Sequence, residues 1–300
     1  MRPKTRSAPR ISVAQIADWR RPDWVALRSP RDAFLDAKRI DKQWQALHFR
    51  APPDLEKSIQ EFEAFAGILR RRGVKSVSLG RAPGLSLDSI YAKDALAIVP
   101  RGIVQCRMGK SNRSREPAAN RQALERQGVK VAFEIVAPGT LEGGDIVWLD
   151  DSLVAVGLSY RTNASGAEQY RSLVGADAEC VFVQIPGVEG PDCIWHLSSM
   201  ISVIGEKICV VDERYLSIHF LTELKRRGFR LISIDKTECG LLACNVFSLG
   251  DDVVCMIAGS PITAWNIRRA GFMVETFAAD NLCLAGDGGP TCLVRTMRRV

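Results

Sequence analysis

The 300-residue sequence predicts an α/β ring: one domain of five strand–strand–helix–strand units closed around a central channel. Three observations predict it. A helical apolar period that ends at a glycine and gives way at once to a β-branched run occurs five times, at Gly73, Gly128, Gly175, Gly228 and Gly271. Those glycines stand 55, 47, 53 and 43 residues apart. Short apolar runs with strand character fill the intervals, and no low-complexity linker interrupts them. A unit of about fifty residues cannot bury its hydrophobic face alone; stacked units form solenoids, or close into a propeller-like ring with helices outside. An α/β sheet without internal symmetry is the alternative.

In chain order, residues 1–22 read as a basic, polar extension and residues 23–300 as the single domain. Trp24–Leu27 is the first strand. The connection from there to Leu55 is long and proline-bearing, which makes it a candidate lid. Leu55, Ile59, Phe62, Ala66 and Leu69 recur at three- and four-residue steps, the period of an amphipathic helix. Arg70-Arg71-Arg72-Gly73 ends it, with cations in the last turn and a glycine just past it, and Val74–Leu79 follows as a strand. The same succession predicts helices over Pro117–Gln127, Ala164–Val174, Leu216–Arg227 and Pro261–Ala270. Strands follow them over Val129–Val136, Cys180–Ile185, Phe229–Ile234 and Phe272–Phe277. Between the units lie further strands at Ala95–Val99, Gly102–Arg107, Ile146–Leu149, Leu153–Gly157, Ser199–Ile204, Lys207–Val211 and Val253–Met256.

Composition narrows the function classes. At 46% hydrophobic and 25% charged the chain has an ordinary globular balance. No apolar run reaches the ~18 residues of a membrane span, and the N-terminus has no apolar signal core. The net charge of +7 sits at the ends: residues 1–22 carry +5 and the last six +3, which leaves the body at −1. A nucleic-acid face would cluster its cations within the fold, so neither nucleic acid nor membrane is an expected partner. The nine cysteines are odd in number and form no Cys-x-x-Cys pair, as expected of a reduced, cytoplasmic protein. The three histidines, His48, His196 and His219, lack metal-ligand spacing, so no metal site is expected. The sequence is compatible with a homodimer.

Five stretches have the polar density and glycine content of a site. Gly286-Asp287-Gly288-Gly289-Pro290-Thr291-Cys292 is a glycine-dense turn in which backbone could approach a ligand, and Cys292 is its one strong nucleophile. The others are Leu87–Asp94, Met108–Glu116, Thr140–Ile146 with Gly157–Asn163, and Cys193–Ser199. Each also has a plain structural reading. Cys292 could be a buried cysteine, Asp94 and Asp145 turn formers, Arg113 a solvated helix start, and His196 a core histidine.

Together these stretches resemble the guanidine-modifying, or amidinotransferase, superfamily. Leu141-Glu142-Gly143-Gly144-Asp145, Ser159-Tyr160-Arg161-Thr162-Asn163, His196-Leu197 and Gly288-Gly289-Pro290-Thr291-Cys292 occur in that family's order and spacing. The likeness runs from about Trp24 to Cys292 and implies a five-bladed, pseudo-symmetric α/β propeller of ββαβ modules. It further implies that Cys292 is the nucleophile, His196 the general acid/base, and Glu142 the carboxylate that supports the histidine and the guanidinium. Asp94 matches the carboxylate that grips the guanidinium nitrogens. Asp88, Arg113 and Arg161 match positions that dimethylargininases use to hold the amino-acid end of the substrate.

The chemistry accounts for these residue types. A guanidinium is planar and charged, with a fork that two carboxylates can grip. A free cysteine is only a few per cent thiolate at neutral pH and needs a base or a nearby cation. Attack followed by proton donation to the departing amine leaves a covalent thiouronium, which water hydrolyses to a ureido product. No organic cofactor is implied.

Ser159-Tyr160-Arg161-Thr162-Asn163 looks most like the dimethylargininase form, and Ser198 stands where arginine deiminases carry an acidic residue. One position departs. Lys93 precedes Asp94 where dimethylargininases usually have a Glu that helps bind the α-amino group, and a lysine would repel that group at close range. The resemblance therefore implies an amidinohydrolase acting on N-methylated arginine. The alternatives are arginine or another guanidine as substrate, amidino transfer to an amine, or, in a different class, a non-catalytic propeller that binds RNA or a ribosome.

Overall fold

Five three-stranded sheets, one per repeat, carry the described strands. They belong to a computed structural model that describes residues 16–186 and 196–300. The second blade holds β3 (Leu96–Val99), β4 (Gly102–Gln105) and β5 (Phe133–Glu134). The third holds β6 (Ile146–Asp150), β7 (Leu153–Leu158) and β8 (Glu179–Gln184). The fourth holds β9 (Ile201–Gly205), β10 (Ile208–Val211) and β11 (Arg230–Ser233), and the fifth β12 (Phe247–Gly250), β13 (Val253–Ile257) and β14 (Met273–Phe277). In each, the first two strands form an antiparallel hairpin, and the second pairs in parallel with the third.

A parallel pair needs a crossover. Four helices supply it: α4 (Glu116–Arg126), α5 (Ala164–Val174), α6 (Ile218–Arg226) and α7 (Pro261–Arg269). The expected punctuation is present at every repeat. Gly73, Gly128, Gly175, Gly228 and Gly271 all lie at positive φ, between 69° and 105°. That is the left-handed region a helix C-terminus commonly uses before the chain turns into a strand, and glycine enters it without a Cβ clash.

The first blade is assembled from both ends of the chain. Strands β1 (Pro22–Leu27) and β2 (Lys75–Ser78) pair in parallel across α1 (Pro30–Ala33), α2 (Ala37–Gln43) and α3 (Leu55–Arg71). The antiparallel partner of β1 is β15 (Arg295–Arg299), the last strand, so pairing of the termini closes the ring. Neither β15 nor β12 was expected from the sequence. The arginines of β15 read as a charged tail, yet Arg295 and Arg299 are buried toward the axis and Arg298 pairs with Asp23. At the other extreme β5 is two residues long where eight were expected, because the parallel ladder engages only Val104 and Gln105.

The apolar cores lie between neighbouring blades and under the helices, where Phe65, Leu69, Tyr170, Leu124 and Ile267 are among the fully buried side chains. The long connection after β1 packs as part of the first core, with Phe34, Ile40, Leu47 and Phe49 buried. Packing begins before the expected boundary at residue 22. Ile16 and Ala17 are buried, Asp18 accepts from Trp148 N at 3.2 Å, and Arg20 is ion-paired with Asp151. Residues 1–15 and Cys193 lie outside the described residues. All eight described cysteines are free, and no helix among the described residues is long and apolar enough to cross a membrane.

Candidate active site

Cys292 lies in α8 (Pro290–Leu293), a single turn between the glycine-dense loop and β15. Pro290 begins it, where a missing N–H costs nothing and φ is preset for helix. The glycines before it serve close approach. A Cβ on Gly288 would meet Tyr91 Cε1 at 2.1 Å, and one on Gly289 would meet Asn245 Cγ at 2.4 Å. The left-handed residue of the loop is Asp287, at φ 59°.

Asn245, just before β12, fixes the thiol. Its Oδ1 accepts from Thr291 N at 2.9 Å and Thr291 Oγ1 at 2.8 Å, and its Nδ2 donates to Cys292 Sγ at 3.3 Å. Burial pushes the Cys292 thiol up and the Asp94 charge adds to it; Lys93, Asn245 and Thr291 oppose them without cancelling them. In the free protein Cys292 is therefore held as the thiol.

The segment entering β3 ties the thiol to the acidic residues. Lys93 N donates to Cys292 O at 3.1 Å, and Gly143 N donates to Asp94 O at 2.7 Å. Asp94 Oδ2 accepts from Arg113 Nη1 at 2.5 Å. Asp94 Oδ1 is buried with no hydrogen-bond partner and lies 3.6 Å from His196 Nδ1. His196 Nε2 lies 2.7 Å from Glu142 Oε2. That oxygen also accepts from Arg161 Nη1 at 3.1 Å, while Oε1 accepts from Gly109 N and Lys110 N at 3.0 and 3.1 Å.

Gly144 makes the approach possible: a Cβ there would meet His196 Cγ at 2.5 Å and Asp94 Oδ1 at 2.6 Å. Burial pushes Glu142 toward the neutral form, but the His196 hydrogen bond and the Arg161 charge outweigh it and hold the carboxylate far below its usual range. Burial pulls His196 down, yet the Asp94 charge, the Glu142 bond and the Asp145 charge raise it. The two carboxylates beside the ring both favour the imidazolium.

The structure brings Cys292, His196, Glu142, Asp94, Arg113 and Arg161 into one connected cluster. Asp88 and Lys93 need separate description. Asp88 Oδ2 is ion-paired with Lys110 Nζ at 2.8 Å, both side chains buried. Lys93 lines a cavity on the channel axis with Asp18, Ser198 and Arg295. Arg113 is committed: it holds Asp94, both oxygens of Glu116, and the carbonyls of Asp88 and Tyr91.

Sequence reasoning missed Asn245 and Lys110, and gave Asp145 only its turn-forming role. Asp145 Oδ2 accepts from Thr162 Oγ1 at 2.6 Å and Oδ1 from Leu197 N at 3.1 Å, and burial raises its pKa to about 6. It thereby ties the His196 segment to the Gly143-Gly144 turn. Asp94, Glu142 and His196 also place one ligand atom each within 4.8 Å of one another, a set able to hold a metal ion or another cation. No sequence spacing showed this, because the three come from separate segments. Asp94 Oδ1 is the oxygen of this set with no hydrogen-bond partner, so it is open to a cationic ligand's N–H.

The family described as N,N dimethylarginine dimethylhydrolase, eukaryotic, matches residues 36–267. An N(G),N(G)-dimethylarginine dimethylaminohydrolase of Streptomyces coelicolor is 30% identical over 247 residues, covering 81% of this chain and 87% of its own. Among solved structures, a mutant DDAH from Pseudomonas aeruginosa complexed with citrulline superposes with a TM-score of 0.74 at 22% identity, over 93% of this chain and 99% of that one. The N-terminal domain of ArgZ, an arginine dihydrolase from Cyanobacteria bound to product, gives 0.76 at 16% identity over 92% and 96%. Both share the five-bladed α/β propeller seen in the sheets above.

Proposed function

The chain belongs to the N,N-dimethylarginine dimethylhydrolase family and is a hydrolase acting on guanidino groups of arginine derivatives; from that premise we propose that its substrate is an N-methylated arginine, converted to citrulline and a methylamine through Cys292. The observation that carries this reading is Asp94 Oδ1, which accepts no hydrogen bond, beside the His196–Glu142 pair and in the same cluster as the buried thiol. A guanidinium offers several N–H donors in a rigid plane. Asp94 and Glu142 hold that plane with its central carbon toward Cys292 Sγ.

The cation completes the nucleophile. A positive group placed against Asp94 offsets the charge that disfavours the thiolate, so the thiol gives its proton to water when substrate arrives. Sγ then bonds to the guanidinium carbon, and the C=N π electrons move onto nitrogen. His196, charged between Asp94 and Glu142, gives its proton to the methylated nitrogen as the C–N bond breaks. The amine leaves and the thiouronium remains on sulfur. Neutral His196 takes a proton from water, the oxygen attacks the same carbon, and the C–S bond breaks to release the ureido product and the cysteine. The balance is one water consumed and one amine released. In this reading Arg161 and Asp88 lie toward the amino-acid end, and Arg113 acts by holding Asp94.

Arginine is the second reading, because the Asp94–Glu142 grip acts on nitrogens common to both substrates. The reduced protein is to be incubated with dimethylarginine, monomethylarginine, arginine and simpler guanidines, measuring ureido product, each amine and the mass of trapped protein. Dimethylamine release with a thiouronium mass adduct on Cys292 is expected. Ammonia release from arginine in preference would replace methylarginine by arginine; amidine found on an added amine would replace hydrolysis by transfer.

A further inference from the structure

The thiol segment backs onto a space that the chemistry above does not use. On the channel axis, Lys93, Ser198, Thr291, Arg295 and Arg299 line a cavity of about 30 Å³, with Asp18 from the N-terminal segment beside them. That volume accepts a monatomic ion or one or two waters. Three cations therefore face one acid. Asp18 is already engaged, with Oδ2 accepting from Trp148 N at 3.2 Å and Oδ1 lying 3.7 Å from Arg299 Nη2.

Neither Lys93 nor Arg295 forms an ion pair among the described residues, and Asp18 acts on both only as a charge at longer range. The guanidinium of Arg295 donates through Nη1 to Leu96 O at 3.1 Å, and its buried Nε has no partner. Ser198 Oγ is buried and without a partner too. The Lys93 ammonium has no hydrogen bond or ion pair among the described residues. Arg295 is 7% and Lys93 6% exposed, so bulk water does not screen them. Buried, unpaired cations of like sign cost free energy that an anion between them recovers. The other nearby carboxylate, Asp94, is paired with Arg113 through Oδ2, and its Oδ1 faces His196 Nδ1 at 3.6 Å.

We propose that this axial cavity binds a small inorganic anion, chloride in size and charge, held by Lys93, Arg295 and the Ser198 hydroxyl. The site reaches the chemistry through Thr291, which lines it and precedes Cys292 in α8. Lys93 acts on the Cys292 thiol in the direction of the thiolate. An anion beside Lys93 offsets that charge and makes the thiol less reactive.

Crystals of the full chain soaked in bromide are expected to show an anomalous peak in the cavity. In solution, chloride-NMR line broadening by the wild-type protein is expected to saturate and to be lost in Lys93→Met and in Lys93→Met/Arg295→Met. Replacing gluconate with chloride is expected to slow iodoacetamide alkylation of Cys292 in the wild type and to leave Lys93→Met unaffected. A bromide-soaked crystal with no peak in the cavity overturns the proposal without recourse to any variant. Saturable chloride broadening retained by folded Lys93→Met/Arg295→Met overturns it as well, since the anion would then sit elsewhere.

Discussion

The imidazole Nε2 of His196 lies 2.7 Å from Oε2 of Glu142, and both side chains are buried. Glu142 is one reason the histidine titrates above its ordinary value, so removing its charge lowers the His196 pKa. Glu142→Gln is therefore expected to move the alkaline limb of the kcat–pH profile to lower pH, because the proton donor is lost sooner as pH rises. The turnover number itself should fall by roughly 10²-fold or more, within the range carried by a positioned acid/base. A profile measured with methylarginine whose alkaline limb does not move would remove Glu142 from this role.

Cys292→Ser should leave the fold intact and turnover undetectable. Cys292 also supports a pH test. Its thiol sits above the ordinary value of about 8.5, so alkylation of the free protein should climb with pH and level off only beyond that value. Asp94 is among the causes, and Asp94→Asn should shift the alkylation profile to lower pH. A shift in the other direction would contradict the electrostatics assigned to the pair.

Gly144→Ala tests close approach alone, since Gly144 does not lie at positive φ. The new methyl group would meet His196 Cγ at 2.5 Å and Asp94 Oδ1 at 2.6 Å, so one of them must move. Overpacking of this kind typically costs about 1–3 kcal/mol. Thermal unfolding should report that loss, and kcat should fall more than KM rises. Unchanged kcat would mean the histidine tolerates displacement.

The repeat pattern was legible because it rests on local rules. Five helix-ending glycines announce left-handed turns, and all five adopt them. The same rules hid β15: its arginines read as solvated charge, whereas ring closure buries Arg295 and Arg299 against the axis. The candidate site shows the same division. Glu142, His196 and Cys292 sit in glycine-bearing or family-like stretches. Asn245 sits in Ala243-Cys244-Asn245-Val246, with no local signal, and meets Thr291 and Cys292 only through the closed ring. Lys110 was hidden for the same reason, because its partner lies 22 residues back in another segment.

Asn245→Ala measures what that invisible contact contributes. It leaves Thr291 N–H and hydroxyl without their buried acceptor, a loss of about 1–3 kcal/mol by the usual cost of an unsatisfied buried group. It also frees the sulfur. We expect kcat to drop with KM little changed, and Asn245→Asp, which keeps the acceptor but adds charge beside the thiol, to restore stability without restoring kcat. Recovery of kcat in Asn245→Asp would make the residue purely structural.

In the proposed reading, specificity at the amino-acid end turns on Lys110. Its ammonium and the Asp88 carboxylate form a buried ion pair at 2.8 Å, so a substrate's α-ammonium must compete for an acid already neutralised. Lys110→Met releases Asp88 to that group. The uncompensated carboxylate should destabilise the free protein by up to about 3–5 kcal/mol, and a ligand that supplies the missing cation should recover part of this. The expected result is a lower KM for methylarginine relative to its deaminated analogue, together with a larger rise in melting temperature on adding the former. A KM ratio equal to that of the wild type would place Asp88 away from the α-amino group, and the Lys110–Asp88 pair would then be a fastening of the Met108–Glu116 segment alone.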